Sequence, residues 1–205
     1  MAITLYSYWR SSAAYRVRTV TVEEQWILDP EGLWLRVDIL PSSDWDGVWP
    51  RVGVRFGLPA DVDAASWFGL GPHESYPDSL EAALVGRYAA GIDQLAVPYA
   101  CPQETGHRGG MRSLDLLRGS EPWVRVDAFA DSRGRLPGFT LSRYTAQELA
   151  AARHPHELPA ATRSWLYLDA AQHGLGTRSC GPDVWPESAL APEARTLTFR
   201  LAASE

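Results

Sequence analysis

The sequence contains no lysine; all 19 of its basic residues are arginine. It has two cysteines, Cys101 and Cys180, and no apolar run near the roughly 18–20 residues that span a bilayer. Two cysteines cannot build a disulfide scaffold, and their separation fits no zinc pattern. No charged segment followed by an apolar stretch opens the chain, so no secretory signal is read and the cytoplasm is the expected compartment. With 25 acidic residues against 19 arginines, the net charge is −6. That balance does not attract a phosphate backbone, which argues against nucleic acid as a partner. No repeat and no low-complexity linker divides the 205 residues, a length suited to one large domain or two small ones.

What is plentiful points one way. There are 9 Trp, 8 Tyr and 5 Phe, with 17 Gly and 15 Pro. Aromatics favour strands, and Gly and Pro punctuate turns. A β-rich domain with many loops follows. Aromatic faces can also cover the apolar face of a sugar, but core and sheet packing is the first use of such residues.

Residues 15–40 read as two strands joined by the turn Asp29-Pro30-Glu31-Gly32. Leu33, Leu35, Val37 and Ile39 alternate with Trp34, Arg36 and Asp38, the period of a half-buried strand. Arg51–Leu58 reads as a strand, and Ala65–Gly69 as a short one running into a Gly/Pro turn. Ser79–Ala90 reads as one or two helical turns. Pro98–Pro102 and Met111–Leu117 read as strands flanking a Gly-rich turn. Val124–Ala130, Phe139–Tyr144, Trp165–Asp169 and Arg195–Ala202 are further strands. Thr145–Arg153 is the best helix, because Thr145 and Glu148 have the spacing of a capping box. Many short strands with frequent turns predict a β-sandwich.

The residues that could carry chemistry are scattered. Of His73, His107, His154, His156 and His173, only His154 and His156 are close, so surface or hydrogen-bonded histidines are expected rather than a zinc site. Glu74, Asp78 and Glu81 are near in sequence, but a glycosidase needs carboxyls facing each other across a bond. Hydrogen bonds to turn amides, or solvation, are the expected roles. Gly69-Leu70-Gly71-Pro72 lacks a dinucleotide fingerprint and reads as a tight turn. No Ser sits in a G-x-S-x-G elbow.

Residues 67–79, WFGLGPHESYPDS, resemble the W-x-G-x-G-P-x-E-x-Y-x-D segment in the C-terminal domain of LacZ-type β-galactosidases, glycoside hydrolase family 2. The resemblance continues in order. Residues 98–112, PYACPQETGHRGGMR, are similar to the family's P-Y-x-x-P-x-E-x-G-x-R segment. Residues 139–158 resemble its F-x-x-S-x-Y-[ST] strand, following helix and His-containing loop. Residues 165–184, WLYLDAAQHGLGTRSCGPDV, resemble its L-D-x-x-x-x-G-[IVL]-G segment and the loop after it.

The resemblance implies an all-β fold, an antiparallel β supersandwich like that of galactose mutarotases. It implies a role in hydrolysing terminal β-D-galactosides of the lactose type, with this domain lending the loop Thr177–Val184 to the sugar site and supporting assembly. Cys180 then stands where many members carry a stacking Trp, and Cys180 with Gly181 becomes the implied substrate-binding pair. Trp185 lies further on and does not align. The family's catalytic glutamates lie in a separate barrel, so no catalytic residue and no metal ligand is expected within this chain. Alone, the chain is expected to be inert. Magnesium and sodium are implied for the full enzyme only. The match begins near residue 15, after the family's expected first strands. That implies a sandwich incomplete on its N-terminal side, with unpaired edges and an exposed apolar face. Association with the remainder of a β-galactosidase, or with itself, is therefore expected, besides binding of a galactoside.

Residues 1–18, MAITLYSYWRSSAAYRVR, are also similar to the start of zeta-class glutathione transferases, the maleylacetoacetate isomerases; there the serines matching Ser11 and Ser12 meet glutathione. The likeness stops after Arg18, where strand and turn replace helix, and so short a segment cannot form a glutathione site. Residues 1–18 are therefore set apart from the sandwich at 19–205. Two other readings remain open on the sequence. One is a free-standing carbohydrate-binding sandwich. The other is a mutarotase-like epimerase using His107 or His173 with Glu74 or Glu104.

Overall fold

The computed structural model describes residues 20–43, 45, 47–176 and 181–204. The segment 1–18 and Cys180 lie outside the described residues. The strands are β1 (Val20–Asp29), β2 (Gly32–Pro41), β3 (Arg51–Leu58), β4 (Ala64–Gly71), β5 (Leu84–Gly91), β6 (Ser113–Arg118), β7 (Glu121–Phe129), β8 (Gly138–Ser142), β9 (Ser164–Gln172) and β10 (Arg195–Ala203). Two short helices, α1 (Ile92–Leu95) and α2 (Ala146–Ala151), and 3-10 turns at Pro155–Glu157 and Pro186–Ser188 connect them. One sheet has the order β1-β2-β10-β7-β6-β4-β5 and the other β3-β9-β8, with every pairing antiparallel. The all-β sandwich expected from the alternation is what forms.

The β1–β2 hairpin shows how the sequence builds it. Asp29 Oδ1 accepts the amide N–H groups of Glu31 (2.8 Å) and Gly32 (3.1 Å), and Gly32 takes a φ of 145° that a side chain would resist. On β2, Leu35, Val37 and Ile39 turn inward and are buried. They meet Leu197 and Phe199 of β10, Val126 of β7, and Leu114 and Leu116 of β6 in one core. Leu166 and Leu168 of β9 and Phe139 and Leu141 of β8 close that core from the smaller sheet. Phe139 sets its ring edge-on to Trp67 of β4 at 5.5 Å, tying the two sheets together.

The outward face of the larger sheet is a charge ladder. Arg36 pairs with Asp38 (2.8 Å), Arg125 with Asp127 (2.9 Å) and Asp115 (3.2 Å), and Arg200 with Asp127 (2.8 Å) and Glu31 (3.0 Å). Exposed pairs of this kind each add little to stability, but they give the middle of the face its polar character.

Two expectations are corrected. Ser79–Ala90 is not helical: turns closed by Ser79 N–H to Tyr76 C=O and Ala83 N–H to Leu80 C=O lead into strand β5. Pairing with β4 decides the outcome, with Tyr88 beside Trp67 at 5.5 Å, and Gly86 and Gly91 weaken the helical alternative. Pro98–Pro102 is irregular rather than a strand, since its two prolines remove ladder donors. The expected helix is present as α2, with Thr145 Oγ1 accepting from Glu148 N and the Glu148 carboxylate accepting from Thr145 N. Among the described residues no helix is long and apolar enough to cross a membrane.

Phe139 is fully buried between the sheets. Phe139→Ala is expected to cost about 3–5 kcal/mol in urea unfolding, because the cavity it leaves lies between two sheets that cannot both collapse into it. A loss below about 1 kcal/mol would show that the sheets are not clamped there.

Candidate functional site

Along β9, Leu166 and Leu168 face the core, so Tyr167 and Asp169 face the other side of the smaller sheet. The register places Asp169 opposite Gly53 of β3 and Gly138 of β8, with a bulge between Val52 and Gly53. Neither position has room for a side chain. A Cβ on Gly53 would lie 2.6 Å from Asp169 Oδ1, and one on Gly138 would lie 2.5 Å from His107 Nε2. The two glycines thus clear the space that the Asp169 carboxylate and the His107 ring fill.

Asp169 is 1% exposed. Arg51 grips it with both arms, Nε to Oδ1 at 3.1 Å and Nη2 to Oδ2 at 2.6 Å, while Gln172 Nε2 donates to Oδ2 at 3.0 Å. The third arm of Arg51 reaches Glu104 Oε2 at 3.2 Å, and its guanidinium lies 4.1 Å over the Tyr167 ring. The Tyr76 hydroxyl donates to Glu104 Oε1 (3.0 Å) and accepts from His107 N–H (3.4 Å). His107 Nδ1 is 3.6 Å from Asp169 Oδ2, beyond hydrogen-bond reach, and has no hydrogen-bond partner.

These environments push the two carboxyls apart. Burial raises Asp169, but the Arg51 charge and the hydrogen bonds outweigh it and hold the group below its ordinary value of 3.8. For Glu104, burial dominates over the attraction of Arg51, and the neighbouring Asp169 charge adds to it, so the carboxyl stands above 4.5. Carboxyls split in this way mark acid/base pairs in some hydrolases. Here Asp169 is closed off from any substrate and its oxygens are already bonded, so the pair serves the structure.

The segment after β4 joins this network to the neighbouring loops. Glu74 Oε2 accepts from Gly106 N (2.9 Å) and Thr105 Oγ1 (3.0 Å), and Oε1 from the Tyr99 hydroxyl (3.0 Å). Burial and this carboxylate push Tyr99 up to about 12. Ser75 Oγ accepts from Gly109 N at 2.8 Å. Asp78 receives Leu175 N (3.1 Å) and Gly176 N (2.7 Å) on its two oxygens, and Glu81 lies exposed. Glu74 and Asp78 therefore hold amides, as expected from the sequence. Arg108, buried without a carboxylate partner, donates to the carbonyls of Leu95, Gly106 and Pro72. Burial lowers it to about 10.

The loop that follows β9 is fastened on both sides. His173 N–H reaches Pro50 C=O (3.0 Å), Gly174 N–H reaches Ser188 C=O (2.9 Å), and Val184 packs against Gly174 and Gly176. Of the implied sugar-binding pair, Gly181 is exposed at this loop. Among the histidines, His73 is exposed. His154 and His156 stack their exposed rings at 5.4 Å, and His173 Nδ1 lies 2.7 Å from Gly174 C=O. Among the described residues no three His, Cys, Asp or Glu side chains converge as a cation site. Surface depressions of about 550 and 460 Å³ lie instead where β2, β7 and β10 end, and share no residue with this network.

The family profile described as beta galactosidase small chain matches residues 4–201. The chain belongs to the β-galactosidase small-chain family. It is 57% identical over 195 residues to a protein named Beta-galactosidase from Arthrobacter sp. (strain B7), covering 95% of this chain and 19% of that protein. It is 37% identical over 179 residues to one of the same name from Vibrio cholerae serotype O1, covering 86% and 16%. A third, from Aeromonas hydrophila subsp. hydrophila, is 38% identical over 143 residues and covers 68% and 12%. The chain thus spans a fifth or less of the length of these curated relatives.

All four family-like blocks meet at this small-chain network. Glu74, Tyr76 and Asp78 come from the first, and Glu104 and His107 from the second. Phe139, bonded both ways to Arg108 (2.9 Å each), comes from the third, and Asp169 from the fourth. Glu104 and His107 were visible as candidates; Arg51, Tyr76 and Asp169 were missed. The available signals were an arginine opening the mainly apolar strand RVGVRFGL and an aspartate inside the run WLYLDAA.

Asp169→Asn is expected to cost about 3 kcal/mol of unfolding free energy, since it takes from the buried Arg51 charge its two-armed counterion and leaves only the single contact to Glu104. A loss under about 0.5 kcal/mol would show the pair to be dispensable. The pH response separates the two acids. Asp169, lowered on folding, adds stability that is present above 3.8 and drains away as pH falls further. Glu104, raised on folding, adds stability that is full below 4.5 and is lost as pH climbs through its raised value. In urea unfolding from pH 4.5 upward, Glu104→Gln should therefore flatten the decline that the wild-type chain shows. Parallel profiles would rule out a raised Glu104.

Proposed function

We propose that this chain is a C-terminal section of a cytoplasmic β-galactosidase that hydrolyses terminal β-D-galactosides of the lactose type. In this reading it lends the loop Thr177–Val184 to the rim of the sugar site, with Cys180 and Gly181 against the sugar, and is inert alone. The carboxylates that form and break the glycosyl-enzyme bond belong to the remainder of the enzyme, as do the magnesium and sodium ions. The observation that carries the proposal is the fastening of the loop. Asp78, in the first family-like block, holds Leu175 and Gly176 just before it, while Val184 seats on Gly174 and Gly176 at its far end. A loop that only linked two strands would not need a carboxylate committed to its backbone. Family membership and the larger size of the relatives support the same reading.

The test is complementation. The chain is mixed with a β-galactosidase from which the matching C-terminal section has been removed, and nitrophenyl-galactoside hydrolysis is followed. Activity is expected in the mixture only, and Asp78→Ala should raise KM severalfold at saturating chain. Hydrolysis by the chain alone would contradict the proposal. So would a mixture that stays inactive although both parts are folded. Equal KM with Asp78→Ala would remove the loop's role.

A further inference from the structure

The charge ladder on the outward face of the larger sheet stops at β6. Asp115 of β6 and Asp127 of β7 are taken by Arg125 and Arg200. The two strands beyond, β4 (AASWFGLG) and β5 (LVGRYAAG), contain no acidic residue. Ala65 and Trp67 of β4 point into the core, so Phe68 and Leu70 point outward. The register sets Arg87 of β5 against Phe68, and Val85 against Leu70. On the other side of Phe68 stands Ser113 of β6, with Arg112 just before it. Phe68 is therefore flanked by one arginine on each side.

Both guanidiniums lie over the Phe68 ring. Arg87 Cζ is 5.0 Å from its centroid and Arg112 Cζ 5.2 Å, so the two are at most about 10 Å apart. Arg112 donates from Nη1 to Gly110 C=O at 2.9 Å, and Arg87 makes no hydrogen bond or ion pair among the described residues. Neither meets a carboxylate, whereas Arg36, Arg125 and Arg200 on the same face are each matched by one. Arg87 is exposed and Phe68 half-buried, so the pair is open to solvent. In a chain of net charge −6, two cations are thus brought together on one ring with no carboxylate of the described residues to offset them. Leu70, against the Gly109-Gly110 turn, and Val85, 54% exposed, give the spot an apolar margin on the side away from Asp115.

We propose that Arg87 and Arg112 clamp a phosphate monoester beside Phe68. Such a group carries a charge of about −1.5 to −2 at neutral pH and offsets both guanidiniums, where one carboxylate would leave a charge over. Its three acceptor oxygens suit two forked donors that approach from opposite sides. The organic part of the ligand lies on Leu70 and Val85, because on the other side the carboxylate of Asp115 repels the phosphate. The site shares no residue with the network around Arg51 and Asp169, and it does not rest on the reading of this chain as a section of a larger enzyme.

The experiment measures binding. Phenyl phosphate is titrated calorimetrically into the chain at constant ionic strength, with benzoate as the singly charged comparison. The same titrations are run on Arg87→Gln, Arg112→Gln and Arg153→Gln, the last an exposed arginine beyond α2. The wild-type chain is expected to bind phenyl phosphate with a Kd of about 1 mM or tighter, at least fivefold tighter than benzoate. Arg87→Gln and Arg112→Gln should each weaken phenyl phosphate at least fivefold, and Arg153→Gln less than twofold. Arg87 is exposed, so Arg87→Gln should keep the wild-type urea midpoint, and it decides the case if Arg112→Gln does not fold. In NMR spectra of the wild-type chain the Nε–Hε signals of Arg87 and Arg112 should shift and saturate together. Absence of saturable binding up to about 20 mM phenyl phosphate overturns the proposal. So does binding unchanged in Arg87→Gln, or equal affinity for benzoate. Binding lost in Arg133→Gln but kept in Arg87→Gln also overturns it, and places the anion at the three arginines around Glu193 instead.

Discussion

One buried ion pair, Arg51 with Asp169, organises the structure around it. Removing a guanidinium and a carboxylate from water is costly, and the cost is offset only when geometry is close to ideal and every remaining polar atom is met. Both conditions shape the neighbourhood. The two-armed grip needs Arg51 to lie flat across the small sheet, and Tyr167 provides the ring on which it rests. The carboxylate needs open space on the flanking strand β3, which Gly53 provides, and Gly138 on β8 makes room for the His107 ring beside it. The third arm of Arg51 then fixes Glu104, Glu104 fixes Tyr76, and Tyr76 meets the backbone of His107. A long irregular segment, poor in regular backbone pairing, is thereby fastened to a sheet by side chains.

That dependence explains what could and could not be read in the sequence. Alternation is local, so β2, β3 and β10 were legible to within a residue or two, and so was the Asp29–Gly32 turn, because the aspartate caps it from within. The capping box of α2 was legible for the same reason. Ser79–Ala90 was not, because leucine, alanine and arginine suit a helix and only the partner strand β4 makes the segment extended. The network was the least legible part. Arg51 and Asp169 stand 118 residues apart, and no spacing rule connects them. Glu74 and Asp78 could be assigned to amides because carboxylates in a Gly/Pro-rich turn have few other uses, but which amides they meet depends on the fold.

The family-like blocks gain a physical meaning from this arrangement. Read as strings, they are four separate resemblances. In space they are one cluster: a turn that supplies carboxylates, a loop that receives them, and two strands of the small sheet that anchor both. Asp78 of the first block also takes the backbone amides of Leu175 and Gly176 after β9.

The outer ladder of the larger sheet has a consequence of its own. Every cation in it is a guanidinium, since the chain has no lysine. An ammonium would discharge near pH 10.4, whereas a guanidinium keeps its proton beyond any pH at which the backbone survives for long. The ladder's cations therefore set no alkaline limit of the kind an ammonium would. In base this face keeps the pattern of charges it has at neutrality, and alkaline loss of structure must begin elsewhere in the molecule.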